Sequence, residues 1–153
     1  MASVYSATSE AEEALAAATA ETVIALIGSA AVKAKIVEFG ISFDSTSATA
    51  EPVRVRMVRT TADDGTSTGA TEVQFSDPDN PTPNCAAKHS YSVEPTKATN
   101  AMSEWQVHPQ SGIVIQYPLG REPGLDNSAS AGIAWEVTAP AVVNCSAYVV
   151  WEE

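Results

Sequence analysis

Basic residues are scarce in this chain. Of its 153 residues, 8 are Lys or Arg and 19 are Asp or Glu, which gives a formal net charge of -11 and an isoelectric point near 4.4. A chain of this charge repels the phosphate backbone, whose neutralisation by basic side chains drives most nucleic-acid binding. Anionic membrane surfaces are disfavoured for the same reason. We therefore expect neither nucleic acid nor a membrane as a partner.

Long hydrophobic runs are also missing. The longest, such as Val23 to Ile27 and Ala147 to Trp151, fall far short of the roughly 20 residues that span a bilayer. The segment Met1 to Ser9 has no basic flank and no apolar stretch before a small-residue cleavage site. We expect no transmembrane helix and no signal peptide, and therefore a chain that stays in the cell that makes it.

Cysteine and histidine are too few to suggest a metal or catalytic centre. Cys85 and Cys145 stand 60 positions apart and match no CxxC pattern. We expect two free thiols; a disulfide is the less favoured alternative and a metal site the least. His89 and His108 belong to no G-x-S-x-G, H-E-x-x-H or Walker signature. His89 follows Cys85 at a helical spacing in strand-like sequence, so that pairing is coincidental, and we predict no enzyme and no cofactor.

Acidic pairs occur in two loop-like segments, Asp63-Asp64 and Asp77 with Asp79. A calcium loop would need further oxygen ligands at fixed spacing and a terminal glutamate, which are missing. We interpret these residues as solvated loop side chains. A glycosidase pair depends on a distance in space that the sequence does not supply.

The length and hydrophobic content predict one folded β domain. A chain of 16.0 kDa buries roughly 68 to 70% of its unfolded surface, enough for a core without staples. Ser9 and Glu12 have capping-box spacing before an alanine-rich segment, which predicts a short helix over Ala11 to Ala18. Residues 1–9 precede it as an extended N-terminal arm, and residues 10–153 form the domain. Thr22 to Ile27 is predicted to be a strand.

Alternating apolar residues give the clearest strand signal, from Val37 to Phe43 and again after Pro52. Loops are expected at Thr61 to Ala70 and Asp77 to Asn84, and a turn at Pro95 to Asn100. Eight or nine strands without alternating helices predict an antiparallel β-sandwich or jelly roll, with the last strand central or covered on both faces. The further strands are Glu72 to Phe75, Ala87 to Val93, Ser103 to His108, Ile113 to Tyr117, Ala131 to Thr138 and Val142 to Trp151. The side chains predicted to point inward are Val37, Phe39, Ile41, Phe43, Ile133, Trp135 and Val137.

Arg54, Arg56 and Arg59 concentrate three basic side chains on one strand, with Arg54 and Arg56 on one face and Arg59 at its end. They form either a solvated face with local ion pairs or a contact with an acidic neighbouring subunit. The tryptophans, one on each of three strands, are typical of a core or a subunit interface, and a sugar-stacking platform is the alternative. They are Trp105, Trp135 and Trp151.

Several motifs extend over nearly the whole chain. They are Val4-Tyr5-Ser6, Ala17-Ala18-Thr19-Ala20, Thr22-Val23-Ile24, Val37 to Asp44, His108-Pro109-Gln110, Gln116 to Pro123, Ala139-Pro140-Ala141 and the stretch from Tyr148 to Glu152-Glu153. Together they resemble a group of proteins of similar length encoded by tailed bacteriophages. Some proteins similar in size and β-rich character decorate, or cement, phage heads as trimers over junctions between capsomers of the major capsid protein.

This resemblance implies a structural virion protein on the outer surface of the capsid, made in the cytoplasm of the host bacterium, with the major capsid protein and further copies of itself as partners. Val4 and Tyr5 of the arm, which would order only against a neighbour, and Arg54, Arg56 and Arg59 are then the candidate subunit or capsid contacts. The alternative is a tail or baseplate β-module that binds a host-surface glycan. The two hypotheses differ in copy number and in position on the virion.

Overall fold

The computed structural model describes residues 2–44, 51–75 and 82–153. These residues form twelve β-strands and no helix. The strands are β1 (Val4–Thr8), β2 (Glu13–Leu15), β3 (Ala20–Ile27), β4 (Lys35–Asp44), β5 (Val53–Ala62), β6 (Thr66–Gly69), β7 (Val73–Gln74), β8 (Ala86–Val93), β9 (Thr96–Val107), β10 (Gly112–Gln116), β11 (Gly132–Thr138) and β12 (Val143–Glu152).

The strands form two six-stranded sheets packed face to face. The first sheet has the order β10-β4-β12-β1-β7, with β2 also pairing with β12, and the second has the order β6-β8-β3-β11-β5-β9. Every pairing between these strands is antiparallel. The predicted antiparallel β-sandwich is confirmed. The last strand is central, as predicted, because β12 lies between β4 and β1.

The core lies between the sheets and is centred on aromatic pairs. The rings of Phe39 and Trp135 stack with centroids 4.6 Å apart, which joins β4 of the first sheet to β11 of the second. Six of the seven predicted inward side chains are buried, and Val37 is not. A β-bulge explains the exception: Val150 lies opposite Glu38 but Trp151 lies opposite Ile36, so Val37 has no partner on β12 and Ile36 turns inward.

The predicted helix over Ala11 to Ala18 is wrong. This segment contains the short strand β2, and Ala17 forms a bridge with Ala139. The hydroxyl of Ser9 does not cap a helix; it donates to the Ala11 carbonyl at 3.1 Å and accepts from the Ala147 amide at 3.1 Å. Glu10 has a left-handed backbone with φ of 60°, which a helix cannot include. Pairing with β12 has therefore outweighed the local capping signal.

The predicted N-terminal arm is also wrong, because Val4–Thr8 is strand β1 within the first sheet. It pairs with β12 on one side and β7 on the other. Tyr5 is 2% exposed and stacks on Trp151 with ring centroids 5.8 Å apart. Burying this ring and satisfying the backbone of β1 needs only this chain, so the segment requires no neighbour to be ordered.

The remaining differences lie at the sheet edges, where polar sequence forms strands. Thr66–Gly69 of the predicted loop is strand β6, and the predicted turn at Pro95 to Asn100 is mostly the beginning of β9. Edge strands have one unpaired side and tolerate polar residues, which hides them from a hydrophobic pattern. Of the predicted loop Asp77 to Asn84, residues 77–81 lie outside the described part of the chain.

Both cysteines are buried and free, as predicted. Burial raises the pKa of each thiol to about 12. Neither thiol is therefore ionised or reactive near neutral pH.

Candidate interaction site

The outer surfaces of the two sheets differ in chemistry. Along β12, Ala147, Val149 and Trp151 point into the core, so the alternate side chains point outward on the first sheet. We call this outer surface the apolar face; its side chains include those of Val4, Glu38, Ser42, Val73, Phe75, Val114, Ser146 and Tyr148, and the charged Asp44 and Glu152 lie at its ends. We call the outer surface of the second sheet the charged face; its side chains come from Thr22, Arg54, Arg56, Glu94, Lys97, Glu104 and Glu136.

Tyr148 is at the centre of the apolar face. Its ring covers Gly40 on the neighbouring strand so closely that a β-carbon at Gly40 would collide with the ring atoms. Its hydroxyl donates to a Glu38 carboxylate oxygen at 2.5 Å, and Gln116 donates to the other oxygen at 2.6 Å. Burial and this hydrogen bond raise the pKa of Tyr148 to about 12, and the same two donors lower the pKa of Glu38. Glu38 is therefore held ionised and hydrogen-bonded at the middle of the apolar face.

A cleft of about 510 Å³ lies beside Tyr148. It is lined by small residues on adjacent strands, Ser42, Ser146 and Gly112. Val114 and the connection from Ser9 to Glu12 line it as well. The cleft therefore combines an aromatic ring with serine hydroxyl groups on a rigid sheet.

Strand β10 forms one edge of the apolar face. Val114 is 60% exposed, and Ile113 and Ile115 are half-buried. The Phe43 amide donates to the Ser111 carbonyl at 2.8 Å and the Tyr117 amide to the Val37 carbonyl at 3.0 Å. Because hydrogen-bonded pairs alternate along an antiparallel ladder, Ile113 and Ile115 face β4 with their backbone groups. The amides and carbonyls of the alternate residues, centred on Val114, point away from the sheet.

A connected network of ion pairs covers the charged face. Arg54 binds Glu104 at 2.7 Å, Arg56 binds Glu136 at 2.9 Å, and Lys97 binds Glu136 at 2.7 Å. Lys97 continues the network to Glu94 at 2.7 Å, and Glu94 in turn accepts from the Thr22 hydroxyl at 2.5 Å. Burial by itself would raise the pKa of Glu136, but the hydrogen bonds and charges of Lys97 and Arg56 outweigh it and lower that pKa.

The five predicted contact residues do not form one site. Arg54 and Arg56 share the charged face as predicted, with carboxylates of their own chain as partners. Arg59 lies opposite the inward-facing Ile133, so it has the other parity, and it donates to the Gly124 carbonyl at 3.1 Å. Val4 and Tyr5 lie on β1, and Tyr5 is buried in the core. Only Arg54 and Arg56 are brought together.

Sequence reasoning missed a polar cluster between the sheets, around His89. Its Nδ1 lies 2.8 Å from the Ser90 hydroxyl, and its Nε2 lies 3.7 Å from a Glu10 carboxylate oxygen. The Ser90 hydroxyl and amide both lie 2.7 Å from one oxygen of Glu13. Ser90 has a left-handed backbone with φ of 49°. Because Glu13 accepts from both donors of Ser90, the cluster connects the sheets and presents no free nucleophile. Glu13 and Ser90 are 77 positions apart in the sequence, so no local pattern predicts the cluster.

The tryptophans and loop aspartates considered as candidate binding residues pack against the core or pair with residues of the same chain. Trp135 and Trp151 are fully buried, and Trp105 is half-buried against the core, so the three rings make no exposed platform. Asp63 pairs with Lys88, and Asp64 accepts from the Thr96 amide at 2.7 Å. Asp77 and Asp79 lie outside the described residues.

Within 2–44, 51–75 and 82–153, no group of three or more His, Cys, Asp or Glu side chains is arranged to hold a metal ion. The same residues contain no helix of the length and apolarity needed to cross a membrane. Comparison with protein-family models, with curated proteins and with solved structures found no match.

Proposed function

We propose that this chain is a structural virion protein that decorates and stabilises the capsid of a tailed bacteriophage by binding the major capsid protein, as a trimer. The observation that carries the proposal is the apolar face. In a chain with a net charge of -11, this face exposes Val73, Phe75 and Val114 and holds its carboxylate Glu38 in hydrogen bonds. Val73 and Phe75 lie at the β7 edge of the first sheet and Val114 at the β10 edge, and a partner laid across this face would cover them.

A cementing role needs a rigid body and a complementary surface rather than reactive groups. The stacked core, the paired β1 and the central β12 supply the rigidity. The resemblance to phage proteins supplies the partner. Because β1 is part of the sheet, attachment takes place through the apolar face and not through an N-terminal arm.

Co-sedimentation with capsids that lack this protein tests the proposal. Phe75, 69% exposed, is on the apolar face, and Leu119, 93% exposed, is beyond the end of β10. We expect Phe75→Ser to weaken capsid binding about ten-fold or more, as loss of an aromatic contact residue does. Leu119→Ser is the matched control and should bind like the wild type. Failure of the wild-type protein to sediment with capsids would overturn the proposal, and light scattering tests the trimer.

The cleft beside Tyr148 supports a second candidate, a tail or baseplate module that binds a host-surface glycan. An aromatic ring next to hydroxyl groups suits the apolar and polar sides of a sugar. Cryo-electron micrographs of virions in which this protein carries a label distinguish the two candidates. The second candidate expects a few labels at the tail tip, whereas the capsid proposal expects many labels over the head. In this second case the wild-type protein binds glycan and does not sediment with capsids, and Tyr148→Ala abolishes the glycan binding measured by calorimetry.

A further inference from the structure

Five strands within the described residues have an unpaired edge, and four of these edges are poorly suited to pairing. Strand β7 has two residues and β2 has three, β6 is four residues with an irregular register, and β9 has three register shifts and carries Lys97 and Glu104. Shortness, bulges and charges are the usual features that keep an edge from adding another strand.

Strand β10 has none of these features. Its five residues pair with β4 in one unbroken register. The chain has no charged residue from 109 to 120, a segment that contains the whole strand. Val114 is exposed, and the backbone groups of Gly112, Val114 and Gln116 point outward from the edge, as the alternation described above requires.

The side chains next to this edge are also incompletely covered. Ile113 and Ile115 have the parity of the core, yet both are only half-buried. A strand added beside β10 would continue the sheet and cover these two side chains, in addition to satisfying the outward backbone groups.

We propose that β10 pairs in an antiparallel manner with β10 of a second copy of this chain, about a two-fold axis at Val114. The strand is its own complement: Val114 faces Val114 of the second copy, and Gly112 faces Gln116. The absence of charge over residues 109–120 lets two copies of an acidic chain approach here without opposing like charges. The two first sheets then join into one continuous sheet with both apolar faces on the same side.

This contact goes beyond the proposed function and does not depend on it. A two-fold contact is isologous and gives an even number of copies. It produces a dimer by itself, or connects trimers in pairs where the proposed trimer also forms.

Cross-linking through an introduced thiol tests the register. In a hydrogen-bonded antiparallel pair the two Cα atoms are about 5.5 Å apart, within the range of about 4.4 to 6.8 Å that a disulfide bridges. Val114→Cys should therefore give a disulfide-linked dimer under mild oxidation. Leu119→Cys is the control for chance collisions because its side chain is more exposed. The native thiols stay unreactive because both are buried with a pKa of about 12.

Light scattering and analytical ultracentrifugation test the contact itself. Val114→Lys places two like charges at the axis, and we expect it to weaken self-association about ten-fold or more. Val114→Thr keeps a β-branched, uncharged side chain and should associate like the wild type. Circular dichroism and the melting temperature establish that both variants fold.

Three results would each overturn the inference. They are a wild-type protein that has an odd number of subunits or is monomeric at high micromolar concentration, a Val114→Lys variant with unchanged mass, and a Val114→Cys variant that cross-links no faster than Leu119→Cys. Phe75→Ser keeps the two proposals separate, because Phe75 follows β7 at the opposite edge of the first sheet from β10. This variant should lose capsid binding and still self-associate like the wild type, whereas a wild-type protein that binds capsids without self-association leaves the proposed function standing.

Discussion

The two outer faces of this sandwich are built on similar antiparallel sheets and are covered in opposite ways. The charged face has a second small core, in which Ala25, Ile27, Val58 and Ala134 are buried beneath Tyr91 and Ala101. Three cations and three carboxylates on this face pair with one another. The apolar face has no such layer, and its exposed side chains include Val73, Phe75 and Val114.

The two faces therefore differ in role, since one stabilises the fold and the other is available for a partner. A sheet covered on both sides needs apolar residues on both parities, and β11 is buried at six of its seven positions. The covered face therefore stabilises the fold within the chain. The uncovered face leaves apolar surface in water, which is the surface available for a partner.

The largest effect should come from removing the carboxylate at the centre of the charged face. Glu136 is 8% exposed and binds both Arg56 and Lys97. Glu136→Ala leaves Lys97 with Glu94 and Arg56 with Glu104 at 3.8 Å, and we expect a loss of about 2 kcal/mol in the free energy of unfolding. Glu104→Ala removes a solvated partner from the same network and should cost much less than Glu136→Ala. Urea titration gives the free energy of unfolding of both variants. Equal losses in the two variants would contradict the prediction that the buried carboxylate contributes more than the exposed one.

On the apolar face, the closest packing is that of Tyr148 on Gly40. Gly40→Ala forces the ring to move and breaks its hydrogen bond to Glu38, so we expect a cost of about 1 to 3 kcal/mol. Gly69 on β6 is the matched control because a β-carbon there would meet no atom within 4 Å. Thermal unfolding compares the two; a Gly40→Ala variant as stable as Gly69→Ala would show that the ring moves without loss.

Acid should weaken both faces. The pKa values of Glu136 and Glu38 are lowered from the ordinary 4.5, so the unfolded chain takes up these protons first as the pH falls. The stability that the two carboxylates supply is complete above the unfolded pKa and is lost as the pH falls through the folded pKa. Urea unfolding between about pH 3 and pH 7 should show this decline below about pH 4.5. Glu136→Gln should flatten the decline; a slope identical to that of the wild type would contradict the assignment.

The parts of the fold that depend on neighbouring residues could be predicted from the sequence, whereas the parts that depend on residues far apart in the chain could not. Alternation along β4 placed Phe39, Ile41 and Phe43 correctly because that pattern is local. The bulge at Val37 is set by the partner strand β12, which no pattern within β4 records. The local helix signal at Ser9 was overruled by the Ala147 amide, far away in the chain.

The candidate site shows the same difference between local patterns and contacts made far along the chain. Sequence placed Arg54 and Arg56 on one face, but their partners Glu104 and Glu136 are 50 and 80 positions away. The strand at β10 was predicted and its exposure was not, since edge position is a property of the strand order.

The smallest effect on stability should come from Arg54, and it decides between the two interpretations of the arginines. Arg54 pairs with Glu104 at 2.7 Å in an exposed position, and such pairs contribute little to folding. Arg54→Glu should therefore leave the free energy of unfolding close to that of the wild type. Because the charged face is completed by its own carboxylates, we expect unchanged subunit number in light scattering and unchanged co-sedimentation with capsids. Loss of either in a folded Arg54→Glu variant would make the charged face a second partner surface, and the guanidinium would then prefer a carboxylate of a neighbouring subunit to Glu104.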